Sequence, residues 1–240
     1  MSWFNMRLTT AFGITTMVHW SVPLMILVLS IFSPNMAILM SVCFLSIIPH
    51  EYGHALAARY YKIPTKSITL YPVGGVAALE LTSETADKLR GWSEVVVAIA
   101  GPLVTLALAA GAFVIFLLHS YWQHLTNPEG ASVATQFWLT ACLLNVALLV
   151  FNMLPAFPMD GGRVFRGLLS MFMTHVKATT IAYYTSVGLC VIVGVAGIFL
   201  GSIMLPAVMM LIALMGNAEL QQVKKAQEKL EKKHYIDNVR

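Results

Sequence analysis

The chain has 240 residues, 58% hydrophobic and 11% charged, with a formal net charge of +4. Ordinary soluble domains carry about a quarter charged residues, so this composition excludes a typical water-soluble enzyme and points to an all-α polytopic membrane protein. The small positive excess follows topology, and no motif suits a nucleic-acid partner.

Apolar runs of about 20 residues cross the hydrocarbon core as helices. Six are expected, at residues 14–33, 36–59, 92–118, 133–154, 179–200 and 203–218. They make residues 1–218 a single membrane domain and leave 219–240 as a charged helical tail on the cytoplasmic side. The first run has signal-peptide features, with Arg7 before an apolar stretch at 21–32. Its end, "IFSPNMA", lacks the small-x-small cleavage pattern, so a retained anchor is expected. Cys43, Cys142 and Cys190 fall inside apolar runs without CxxC spacing and are expected to pack rather than ligate.

The second run ends in "SIIPHEYGHALAARYY", residues 46–61. HEYGH fits the pattern H-E-x-x-H. On a helix His50 and His54 project about 40° apart and one turn along the axis, a spacing that suits a tetrahedral zinc ion. Glu51 stands beside that face, in position to take a proton from a water. Arg59 marks the charged boundary about 13 Å further along the helix. An ionised acid deep in the bilayer costs about 2.5–3.5 kcal/mol even on lenient scales, and a divalent cation would offset that cost.

Between the second and third runs, "KSITLYPVGGVAALEL" (66–81) reads as a hairpin. It is apolar enough to dip into the membrane. A free strand edge there could hold an unwound substrate by strand addition, with Gly74 and Gly75 permitting close backbone approach. The alternative is a surface hairpin that only packs on the bundle.

A third metal ligand is needed if the ion is to keep an open position. Asp160 lies in "FNMLPAFPMDGGRVFR", residues 151–166, where Pro155 and Pro158 end the fourth helix near Leu154. Broken backbone at this depth is tolerated only when buried in protein or lining a wet cavity. Asp160 is the favoured ligand, with an N-cap role for a helix starting near Arg163 as the plainer reading. His19, His175 and Glu94 remain alternatives.

Orientation follows from charge. The connections 34–35, 119–132 and 201–202 contain none of the fifteen Lys and Arg residues. With six spans, every positive charge then lies on one side, which makes both termini cytoplasmic and the protein a multi-pass component of the cell membrane. The tail "NAELQQVKKAQEKLEKKHYIDNVR" (217–240) is expected to continue helically, with Lys224 and Lys225 near anionic lipid headgroups.

With these features in place, the sequence resembles the site-2 protease family of intramembrane zinc metalloproteases. The resemblance rests on "HEYGH" in the second run and "NMLPAFPMDGG" after the fourth. "AGPLVTLAL" (100–108) and "YPVGGVAALE" (71–80) also match, together covering about residues 45–165 in the expected order. It implies His50, His54 and Asp160 as ligands of one zinc ion, Glu51 as acid/base, and an active site near the cytoplasmic side. Many relatives carry Asn where this chain has Thr105, and Leu where it has Met159. No stretch is long enough for an inserted PDZ or an appended CBS domain.

The expected reaction is hydrolysis of peptide bonds within or near the transmembrane segment of a membrane-protein substrate, single-span in the simplest case. Asn152 is the candidate oxyanion donor, and Asn145, two turns earlier, is expected to hydrogen-bond between helices. Polar residues at Thr65–Ser67, Thr82–Glu84 and Arg163 would line a water route. Alternatives that also bind zinc are a transporter, which would need polar groups in several spans, and a silent scaffold, which would not need Glu51.

Overall fold

The structure, a computed structural model, describes residues 5–72, 74–79, 88–126 and 132–239. Its elements in chain order are β1 (Asn5–Ala11), β2 (Ile14–His19), α1 (Ser21–Phe32), α2 (Pro34–Tyr60), β3 (Thr65–Tyr71) and β4 (Gly74–Leu79). There follow α3 (Trp92–Thr126), α4 (Val133–Asn152), α5 (Asp160–Leu169), α6 (His175–Phe199) and α7 (Met204–Val239). Five stretches are long and apolar enough to cross a membrane: α2, α3, α4, α6 and Met204–Lys229 of α7. The protein is therefore mostly helical, as expected, and its one small sheet contains the expected hairpin together with two further strands, β1 and β2.

The first expected span needs correction. Residues 14–19 are strand β2, and only Ser21–Phe32 is helical. Twelve residues rise about 18 Å, short of a hydrocarbon core of about 30 Å. The reason lies in the local sequence: "ITTMV" is β-branched at four of five positions, a composition that favours strand over helix. Phe12 and Gly13, at φ +52° and +74°, close the β1–β2 hairpin as a two-residue turn of the type that needs positive φ at both positions.

The sheet order is β1-β2-β3-β4. β2 runs parallel to β3, with α1 and α2 forming the connection, and β3 pairs antiparallel with β4 from Thr65 opposite Leu79 to Tyr71 opposite Gly74. The expected hairpin is thus present, while Glu80 and Leu81 at its end lie outside the described residues. β4 is an edge strand. Ile14, Ile68 and Ala55 are completely buried together against Tyr52 and Ala77, which fixes the sheet to the last turns of α2.

The chain divides into two compact units, Met1–Lys88 with Ile99–Phe151 and Leu89–Ala98 with Asn152–Arg240. The first holds the sheet, α1, α2, α4 and most of α3. Val42, Ala112, Ala141 and Cys142 form one of its cores, and Asn145 links helices there by donating to Ser46 Oγ at 3.1 Å. That is the interhelical part expected of Asn145. In the second unit Ala156, Met159, Cys190 and Ile212 form a core. All three cysteines are free thiols, and Cys142 and Cys190 pack as expected. Gly201, at φ +72°, turns the chain between α6 and α7, and α7 continues through position 218 without a break.

Candidate metal centre

α2 carries HEYGH as one unbroken helix despite Pro49, whose ring precedes the motif. The i, i+4 spacing brings the two rings together: His50 Nε2 and His54 Nε2 lie 3.1 Å apart, with the ring planes nearly perpendicular. Ligand atoms of a tetrahedral zinc site with bonds of about 2.0–2.1 Å are separated by about 3.3 Å. Both histidines are buried.

The floor under the rings is α3. A methyl group on Gly101 would lie 2.5 Å from Cε1 of His54 and 2.9 Å from Cε1 of His50, so only glycine fits. One turn later Thr105, fully buried, meets His50 Nδ1 with its hydroxyl at 2.8 Å. Gly53, inside the motif, faces the same helix: a Cβ there would stand 2.7 Å from the Ala100 carbonyl oxygen. The two variable positions of H-E-x-x-H are therefore both in use. Gly53 admits α3, and Tyr52 reaches the sheet, its hydroxyl 2.7 Å from Thr16 Oγ1 and its ring edge-on to Phe12. Arg59 donates to the Phe12 carbonyl and holds the β1–β2 turn.

Glu51 points toward β4. A Cβ on Gly75 would fall 2.6 Å from Glu51 Cγ and 2.8 Å from Oε1. Gly74, at φ +143°, has open space where its side chain would be. The hairpin edge and the expected acid/base are thus immediate neighbours.

In the second unit, residues 153–159 leave the helical path, with a cis Phe157–Pro158 bond. The chain then re-enters helix at Asp160. The N-cap is Met159 and no side chain caps the helix, so Asp160 is the first helical residue rather than the cap. Side chains at Gly161 and Gly162 would strike the backbone of Met153, Leu154 and Ala156, which explains the paired glycines. Asp160 is buried. Among the described residues, His50, His54 and Asp160 are the buried group whose side chains could hold one metal ion.

The alternative ligands are engaged elsewhere. His19 Nδ1 pairs with Ser21 Oγ at 2.6 Å. Glu94 accepts from Arg166, with nitrogens at 2.5 and 2.6 Å, while Arg166 also reaches Glu219 at 2.8 Å and lies over the Phe157 ring. His175 sits 4.0 Å from the second Glu94 oxygen. No local pattern in the sequence marks this buried knot, because Arg166 stands 72 positions from Glu94 and 53 from Glu219. Thr105 and Gly101 were more accessible to inspection, because "AGPLVT" places them one helical turn apart on one face. Asn152 ends α4, half-buried. Thr65 is buried within β3 and Arg163 is exposed, whereas Thr82–Glu84 lies outside the described residues.

Fold and donor set together define a multi-pass membrane protein built around an H-E-x-x-H metal centre. The model of peptidase family M50 matches residues 37–130 and 124–195. The chain belongs to that family, the site-2 proteases. A zinc metalloprotease of Methanocaldococcus jannaschii is 34% identical over 184 residues, covering 75% of this chain and 50% of that protein. Stage IV sporulation protein FB of Bacillus subtilis is 28% identical over 150 residues, covering 62% and 46%. The chain thus spans about half the length of these curated relatives. Among solved structures, the site-2 protease from Methanocaldococcus jannaschii matches with a TM-score of 0.61 at 29% identity, covering 90% of this chain and 95% of that one.

Proposed function

We propose that the protein is a zinc endopeptidase that hydrolyses peptide bonds within or near the transmembrane segments of membrane-protein substrates, single-span ones in the simplest case. In this reading His50, His54 and Asp160 hold the ion and Glu51 is the acid/base. The observation that carries it is the H-E-x-x-H face of α2: two buried ring nitrogens 3.1 Å apart, with the intervening acid turned to a free strand edge.

The ion, when bound, supplies Lewis acidity toward the scissile carbonyl and the attacking water. The remaining work belongs to the chain. Glu51 removes a proton from the water and returns it to the leaving amine. β4 adds the unwound substrate as a further strand, and Gly75 keeps side-chain bulk away so that the scissile bond comes up to Glu51. Asn152 is the proposed donor to the developing oxyanion. In the same reading the polar residues Thr65–Ser67 and Arg163 serve the approach of water. The distribution of Lys and Arg supports an orientation in the cell membrane with the connections after α2 and α4 and the C-terminal tail cytoplasmic.

A cleavage assay on a purified single-span membrane peptide tests the assignment. Glu51→Gln is expected to retain zinc and to lose cleavage by at least about a hundredfold, the lower range for general acid–base groups. Equal cleavage by both proteins would remove Glu51 from its role. Zinc-dependent flux without any cleavage by wild type would favour a transporter.

A further inference from the structure

The hydroxyl of Thr105 offers one proton and two acceptor positions. Two groups compete for it. Gly101 O, one turn back on α3, only accepts, and Thr105 Oγ1 donates to it at 3.3 Å. His50 Nδ1, at 2.8 Å, either donates or accepts according to which ring nitrogen holds the proton. A single arrangement makes both bonds: Thr105 donates to Gly101, and His50 donates from Nδ1 to Thr105. The opposite arrangement makes only one of the two bonds and leaves the Gly101 carbonyl with its helical partner alone, at a site where Thr105 is fully buried and no water replaces the bond forgone.

We infer that Thr105 is a positioning residue of the metal centre, which holds His50 in the tautomer with its proton on Nδ1 and its lone pair on Nε2. Nε2 is the nitrogen that faces His54 at 3.1 Å. With the other tautomer a proton would stand between the rings where a cation must sit. Gly101 and Thr105 work as a pair on one face of α3: the glycine lets both rings approach the helix closely, and the threonine one turn on fixes the rotation and tautomer of one of them. Outer partners of this kind typically govern metal affinity by 10- to 100-fold. The inference rests on the zinc reading proposed above.

The test uses the full chain in detergent, with zinc affinity measured by competition against a chromophoric chelator. Thr105→Val, which keeps shape and removes the hydroxyl, is expected to weaken zinc binding by about 10- to 100-fold. Thr105→Ser, which restores the hydroxyl, is expected to stay within about threefold of wild type. Nitrogen-15 spectra of labelled histidine in the zinc-loaded wild type are expected to show the His50 proton on Nδ1. Wild-type affinity in Thr105→Val overturns the inference, as does a His50 proton found on Nε2. A loss shared equally by Thr105→Val and Thr105→Ser also overturns it, since that would reflect packing. His50→Ala separates the levels. If that variant binds zinc as well as wild type, the zinc reading itself fails and takes the inference with it.

Discussion

At Gly101 a single missing carbon decides whether two histidines converge. The imidazoles of His50 and His54 occupy the space any side chain there would fill, so α3 contributes to the centre by absence as well as through the Thr105 hydroxyl. Gly101→Ala is expected to push the rings apart and lower zinc affinity by at least about tenfold, the low end for disturbing a ligand's surroundings. Far-ultraviolet circular dichroism should stay unchanged, since alanine is a better helix former than glycine; chelator competition provides the readout. His50 and His54 were legible in the sequence because both lie on one helix, where spacing dictates geometry. Thr105's part was not, because it depends on which rotation about α3 faces α2, a fact of packing.

Among the elements, α5 is the one whose placement is least local. It is ten residues long, and its buried face carries Asp160, Gly161, Gly162, Arg166 and Gly167. Helices this short are marginal alone. Here Arg166 binds Glu94 at the start of α3 and Glu219 on α7, and tops the Phe157 ring. Removing one partner of a buried ionic group leaves uncompensated charge, at a cost of about 3–5 kcal/mol. Arg166→Met is therefore expected to destabilise the second unit on that scale, read as a lowered midpoint of thermal unfolding in detergent. Adding Glu94→Gln and Glu219→Gln should restore much of the loss, because no charge is then stranded. The sequence disclosed where α4 must stop, through Pro155 and Pro158, and where the chain must pack closely, through Gly161 and Gly162. It did not disclose the Arg166 knot, whose members are brought together only by packing. For β2, apolar content suggested a membrane helix; strand pairing with β1 and β3 prevailed because "ITTMV" is β-branched and gains partners on both sides.

For the molecule as a whole, metal binding and folding are linked. An ion that binds the folded chain at one hundred times its dissociation constant stabilises it by about 2.7 kcal/mol. Stripping zinc with a chelator is therefore expected to lower the unfolding midpoint of wild type, and re-addition to restore it, while His50→Ala should respond to neither. An unchanged wild-type midpoint would mean that the buried cluster gains nothing from an ion. The sequence by itself determined the class of molecule, the helical H-E-x-x-H pair and the helix break before Asp160, because each depends on composition or on spacing within a few residues. Only the tertiary structure decided that residues 14–19 join a sheet, that β4 is an edge beside Glu51, that Gly101 and Thr105 underlie the histidines, and that Arg166 ties down the Asp160 helix. These depend on contacts between segments far apart along the chain, and such contacts arise from the joint burial of several elements rather than from the pattern of any one.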